Sequence, residues 1–222
     1  MSFISVFEVL GPNMIGPSSS HTAGAAAIAF LAQKMLAETV EEVDFILYGS
    51  FAKTYHGHGT DRALLGGIMG FNTEDERIRD SFELADAKGL TYSFSVDEEE
   101  KEVHPNTVDI RMTGTSGRKM TVRGESIGGG KVQITRMNSV KIHFTGEYSA
   151  VIVTHQDRPG VASHITKCLS DREVNIAYMR LFREDKGKTA YTIVESDGAL
   201  PSEVAAEIQK NPYVSEVVVV EP

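Results

Sequence analysis

Four short segments in the first two thirds of this chain gather polar side chains that folding alone does not demand. They are SSSHT at 18–22, HGHGTD at 56–61, HPNT at 104–107 and SIGGG at 126–130. The first sets three serines, a histidine and a threonine directly before an alanine-rich apolar run. One hydroxyl suffices to cap a helix. Several, beside the free N–H groups of a helix start, make an anion site, and a carboxylate is its simplest guest. Histidines on glycine-flanked loops can reach a ligand and titrate near neutral pH. Consecutive glycines let backbone come close to an oxyanion or carboxylate. Each segment also has a plainer explanation. Ser19 or Ser20 could cap the first helix, Thr60 or Asp61 the next one, Asn106 could be a turn residue after Pro105, and Gly128–Gly130 a bulge or hairpin. Taken alone each plain explanation wins; four in one chain weaken it.

The elements that must hold these segments are legible in outline. TAGAAAIAFLAQKMLAE (22–38) is rich in helix formers and spaces Ile28, Leu31, Met35 and Leu36 helically. EVDFILYGSFA (42–52) is an apolar strand candidate, and DRALLGGIMGF (61–71) a short helix with small residues where something packs close. EDERIRDSFELADAKG (74–89) is amphipathic and stops at Gly89. Strand-like runs follow at 90–96, 107–114, 118–126, 131–137 and 140–144, separated by turn residues. The character then changes. From 148 onward the order is strand, helix, strand, strand, helix, strand, the βαββαβ pattern of a ferredoxin-like unit. The expected fold class is α+β, with a mixed α/β domain over 1–146 and a smaller domain over 147–222, divided at Gly146.

Composition narrows the functional classes. The 222 residues carry a formal net charge of −9, which opposes nucleic acid and anionic membranes as partners. No apolar run approaches the roughly 20 residues of a membrane span, and MSFISVFEVL lacks the basic start of a secretory signal. Cys168 is the only cysteine, which excludes an internal disulfide and fits a reducing cytoplasm. One thiol cannot hold an iron-sulfur cluster, which takes about four, and no common zinc spacing is present. P-loop, dinucleotide and nucleophile-elbow motifs are missing as well.

The stretch HQDRPGVASHITKCLSDREVNIAYMRLFRE resembles an ACT domain, a small-molecule sensing module, with the likeness covering about 148–222. Asp157, Pro159 and Gly160 make a turn ahead of a helix whose free N–H groups suit a carboxylate, although Pro159 and Gly160 could simply start that helix, and the resemblance implies Asn175 as a second effector contact. Cys168 falls on the apolar face with Val161, Ile165 and Leu169 and reads as core. His143, His155 and His164 read as structural, His164 facing solvent.

Taken whole, IGPSSSHTAG, GSFAKTYHGHGTDRALLGG, HPNT and SIGGG followed by an ACT domain resemble the beta subunits of iron-sulfur-dependent L-serine dehydratases. That likeness implies a cysteine-rich alpha subunit that binds a [4Fe-4S] cluster, and joint conversion of L-serine to pyruvate and ammonia. It also implies a first domain similar to the allosteric substrate-binding domain of some phosphoglycerate dehydrogenases, where the fold is regulatory. Under it, His58 is the first candidate for the base that takes the Cα proton and His104 the second. Thr60, Asn106 and Ser126 bind or orient the substrate, and Ser18, Ser19, Ser20, His21 and Thr22 receive its carboxylate, with one or two of the serines serving only as caps. An amino-acid effector at the ACT domain and a homodimer through it, by way of the edge run VVVVEP, complete the expectation. The alternative is a serine-sensing module that performs no chemistry.

Overall fold

A computed structural model describes Met14 and residues 16–222. The opening segment MSFISVFEVL, and with it the reading of no secretory signal, lies outside the described residues. Two compact units divide between Asn138 and Ser139. The boundary expected at Gly146 lies further on, past strand β6 (Val140–Phe144).

In the first unit a π-helical turn, Ser19–Ala23, runs into helix α1 (Gly24–Leu36). There follow β1 (Val40–Tyr48), α2 (Gly49–Thr54), α3 (Thr60–Ile68), a 3-10 turn (Glu76–Asp80) and α4 (Ser81–Lys88). Strands β2 (Thr91–Asp97), β3 (Thr107–Gly114), β4 (Lys119–Gly128) and β5 (Lys131–Met137) complete it. The strands lie in the order β2-β1-β3-β4-β5. Among the described strands of this unit only the β1–β2 pair is parallel, because the helical excursion between them carries the chain back to its starting end.

The alanine-rich face of α1 is buried, as are Ile28, Met35 and Leu36. Each large aliphatic side chain removed from water contributes about 2 kcal/mol. Small residues let the backbones approach. A Cβ on Gly67 of α3 would lie 2.4 Å from the Ala26 carbonyl oxygen of α1, and one on Gly124 of β4 would lie 2.2 Å from Ile28. The small residues in LLGGI thus meet a close neighbour, as their sequence suggests.

One element departs from expectation. The strand read as 42–52 ends at Tyr48, and GSFAKT is a short helix. Gly49 takes φ +52, open to glycine at little cost. A Cβ there would stand 2.7 Å from the Pro105 carbonyl oxygen, so only glycine lets the HPNT loop close on this turn. The Ser50 and Phe51 amides donate to that same oxygen at 2.6 and 3.3 Å.

The second unit contains β7 (Ser149–Gln156), α5 (Val161–Ser170), β8 (Ile176–Arg183), β9 (Thr189–Ser196), α6 (Val204–Ile208) and β10 (Val214–Val220). Its antiparallel sheet is ordered β10-β7-β9-β8, the ferredoxin-like arrangement. The core joins Val151, Val153, Ile165, Leu169, Val194 and Cys168, which is 7% exposed. Strand β10 is an edge of that sheet, as is β8. His164 does not simply face solvent: it is half-buried, with Nε2 3.2 Å from the Glu207 carbonyl, bridging to the second helix of the unit.

Candidate functional site

The four polar segments, far apart in sequence, come together at one end of the first unit. His21 is the hub. Its Nε2 lies 2.9 Å from the Ser50 hydroxyl and its Nδ1 3.0 Å from the Ser20 hydroxyl, while its ring sits 5.0 Å from that of His58 and edge-on to Phe51. The Thr22 hydroxyl donates to the His58 carbonyl at 2.9 Å, so the first segment holds the second directly. Ser126 meets the start of α1, where a Cβ on Gly24 would fall 2.1 Å from its Oγ. Asn106 is tied to Ser126 twice: its carbonyl accepts the Ser126 amide at 3.0 Å and its side-chain amide donates to the Ser126 carbonyl at 3.3 Å.

The hydroxyls of the helix entrance divide their work. Ser18 is the cap, its oxygen accepting the His21 amide at 3.1 Å, where Ser19 or Ser20 was expected. Ser20 contacts the His21 ring and Thr22 is buried and committed to the His58 carbonyl. The Thr22 proton is therefore engaged within the chain, and this residue places the 56–61 loop. The Ser19 hydroxyl makes no hydrogen bond among the described residues.

Neither Thr60 nor Asp61 caps α3. Gly59, at φ +67, precedes the helix without a side-chain cap. The Asp61 carboxylate instead accepts from the Arg62 amide and stands 2.8 Å from His56 Nδ1. His56 turns outward, 74% exposed. Thr60 Oγ1 is left buried without a partner among the described residues, as are Ser126 Oγ and His58 Nδ1. Buried polar atoms in folded chains are nearly always paired, so three orphans within one group of segments point to a guest that would pair them.

The histidines differ. Burial first, and then the neighbouring His58 ring, lower the pKa of His21, which keeps it neutral at physiological pH. His104 Nδ1 accepts the Asn106 amide at 3.2 Å, so the proton of its neutral ring is assigned to Nε2. No direct contact between His104 and His58 is found among the described residues. Gly128, Gly129 and Gly130 all have positive φ and form the β4–β5 hairpin turn. A Cβ on Gly128 or Gly129 would meet nothing within 4 Å, so no neighbour in this chain requires glycine there and the turn conformation accounts for both.

Ser50 and Phe51 went unassigned in the sequence. Their signal was Gly49 closing an apolar strand with a serine directly behind it, which marks a strand-to-helix turn as readily as a continuing strand.

In the second unit the expected effector residues do not meet. Asp157 accepts from the Gly187 amide at 3.0 Å and from Arg183 at 3.1 Å, and these donors hold its carboxyl below the usual range. Gly160 opens α5 at φ +92. Asn175 donates to Asp197 and precedes Ile176, which pairs with Ser196, whereas Gln156 pairs with Thr189. Seven residues of strand, about 23 Å, therefore separate Asn175 from the Asp157–Gly160 turn within one chain.

A polar helix entrance in one compact unit and a ferredoxin-like unit that follows it in the sequence define the class: a two-unit α+β protein. Comparison with known families narrows it. Residues 2–137 match the family described as Serine dehydratase beta chain, and 149–212 match the ACT domain. The chain is 40% identical to the probable L-serine dehydratase beta chain of Bacillus subtilis, over 98% of each chain. It is 42% identical to the L-serine dehydratase beta chain of Peptoniphilus asaccharolyticus, over 94% of each. A D-3-phosphoglycerate dehydrogenase of Bacillus subtilis is 26% identical over 87% of this chain and 36% of its own length. The chain belongs to the serine dehydratase beta chain family and carries a C-terminal ACT domain.

Proposed function

We propose that this chain is the beta subunit of an L-serine ammonia-lyase and supplies amino-acid-binding and proton-transfer groups to a site completed by an iron-sulfur alpha subunit. The observation that supports it best is the convergence of the four segments around His21, with Thr60 Oγ1, Ser126 Oγ and His58 Nδ1 buried beside them and unpartnered among the described residues. The single cysteine, in the core of the other unit, does not fit a cluster that takes about four thiolates. The [4Fe-4S] group is therefore assigned to the partner.

Forming pyruvate and ammonia from L-serine requires loss of the weakly acidic Cα proton and of hydroxide, and the residues of this chain address the first. The Ser18–Thr22 entrance receives the carboxylate, with Ser19 the hydroxyl free to do so. Thr60, Asn106 and Ser126 orient the substrate. His58 takes the proton at Nδ1, and the neutral His21 ring 5.0 Å away avoids setting a second charge beside the imidazolium that results. His104 Nδ1 already accepts the Asn106 amide, so its Nε2 is left to donate a hydrogen bond to the substrate rather than to take the proton. The turn at Asp157–Gly160 is assigned to an amino-acid effector, strand β10 to a homodimer contact, and the assembly to the cytoplasm.

The test is reconstitution with the alpha subunit under anaerobic conditions, following pyruvate from L-serine. The chain alone should be inactive, and His58→Ala should lower kcat by about 100-fold or more. Full rate in both His58→Ala and His104→Ala would refute the assignment. A second reading, a serine sensor without chemistry, is favoured by the match to a phosphoglycerate dehydrogenase across both units. It requires serine binding by the chain alone, with no catalytic loss when the two histidines are removed.

A further inference from the structure

We infer that Arg123 is a positioning residue: through Glu100 it fastens the 97–106 segment, and with it His104, Pro105 and Asn106, against the strand ends that carry Ser50 and Ser126.

Arg123 lies on β4 directly opposite Asp109 of β3. Its side chain is only 6% exposed. Nε donates to one oxygen of Asp109 at 2.6 Å and Nη2 to the other at 2.8 Å. Nη1 and Nη2 reach the two Glu100 oxygens at 2.7 and 3.0 Å, and Nη2 also donates to the Tyr48 hydroxyl at 3.0 Å. Tyr48 in turn donates to Asp109 at 2.9 Å, and the guanidinium lies over its ring at 4.7 Å. Burial and Asp109 push the Tyr48 hydroxyl up to about 12, so it remains a donor.

A sheet does not need such a cluster for stability, since buried ion pairs are often matched by apolar packing. What this one does is visible in the chain on either side of it. Tyr48 is followed by Gly49 and by Ser50, whose hydroxyl holds His21. Glu100 precedes His104 on the same segment. Arg123 stands three residues before Ser126. The Pro105 carbonyl takes the Ser50 amide and the Asn106 carbonyl takes the Ser126 amide, so both sides of the site are bonded to the segment that Glu100 secures. Arg123 itself touches none of the site residues. Gly124 and Ser126 face α1, and the alternation of the strand turns Arg123 to the other side. Its influence passes through the segment.

This inference rests on reading these loops as the L-serine site, and the experiment separates the two. Glu100 is 41% exposed, so Glu100→Ala removes the fastening without opening the core. Hydrogen exchange on the chain alone should then quicken about fivefold or more at the Ser50 and Ser126 amides, with amides of β1, β3 and α1 unchanged. In the reconstituted enzyme kcat/KM for L-serine should fall about fivefold with little change in Tm, and Glu100→Gln, which keeps one accepting oxygen, should fall between. Unchanged exchange at Ser50 and Ser126 overturns the inference. So does exchange that quickens throughout the sheet, or local loosening with unaltered kcat/KM. If the wild-type assembly forms no pyruvate from L-serine, the site reading fails, while the exchange measurement still decides whether the fastening exists.

Discussion

The three orphaned atoms make a prediction in which stability and function move in opposite directions. Thr60 and Ser126 are both 0% exposed, and their hydroxyls have no partner among the described residues. A buried hydroxyl without a hydrogen bond costs about 1–3 kcal/mol. Thr60→Val keeps the shape and removes that cost. In the free chain it should leave stability unchanged or raise it by about 1 kcal/mol, which for a unit of this size is about 3 °C in Tm. Ser126→Ala should behave alike, with a small deduction for the lost contacts of one oxygen. With substrate the sign reverses. A hydrogen bond from a hydroxyl to a neutral group of L-serine is worth about 0.5–1.5 kcal/mol, and to its carboxylate about 1.5–3 kcal/mol. Those values correspond to losses in kcat/KM of about 2- to 12-fold and about 12- to 150-fold. Differential scanning fluorimetry of the chain alone and pyruvate kinetics of the reconstituted enzyme read the two quantities. Thr60→Ser serves as the control that keeps the hydroxyl. A Tm lowered by more than about 4 °C in Thr60→Val would mean that the hydroxyl is already paired. Kinetics equal to wild type would mean that no substrate group meets it. Either result defeats the reasoning.

Other expectations follow from single observations. Gly24→Ala places a methyl 2.1 Å from Ser126 Oγ and 2.7 Å from its Cβ, and should destabilise the first unit by about 1–3 kcal/mol, with Ser126→Gly as a second-site rescue in thermal melts. Because burial and His58 depress the pKa of His21 below its ordinary 6.5, the unfolded chain binds the proton more readily. Its contribution to stability is complete above about pH 6.5 and is lost as pH falls through the folded value, so the slope of stability against pH in that window should flatten in His21→Asn. Burial raises the Cys168 thiol pKa, and the residue sits in the core of the second unit. Iodoacetamide should therefore label it only when that unit opens, and rapid labelling of native protein would show the core packing to be wrong.

Much of the fold was legible because its local rules agree with one another. The spacing of Ile28, Leu31, Met35 and Leu36, the stop at Gly89 and the βαββαβ order after residue 148 each rest on neighbours within a few residues, and the structure keeps all three. Where reading failed, a distant partner made the decision. β1 stops at Tyr48 because Pro105, more than fifty residues later, occupies the space above Gly49. Ser18 rather than Ser19 or Ser20 became the cap because His21 must turn toward Ser50 and His58. His164 faced water on its own helix until α6 placed the Glu207 carbonyl within reach. Within one chain the register of β7, β8 and β9 sets Asn175 and Asp157 at opposite ends of a sheet, a separation that no local pattern carries.

By itself, then, the sequence determined which chemistry the chain can bring. It holds hydroxyls, imidazoles and close-approach glycines, one thiol, and an acidic balance of charge. Residue types and their near neighbours are properties of the covalent chain. Tertiary structure alone decided which of those groups are engaged and which are open. Thr22 and Asn106 tie loops together, while Thr60, Ser126 and His58 keep polar atoms buried and, among the described residues, unpaired. The physical reason is that a hydrogen bond is settled by position within about 3 Å, and only the packing of α1 on the sheet brings residues 20, 58, 106 and 126 to that range of their neighbours.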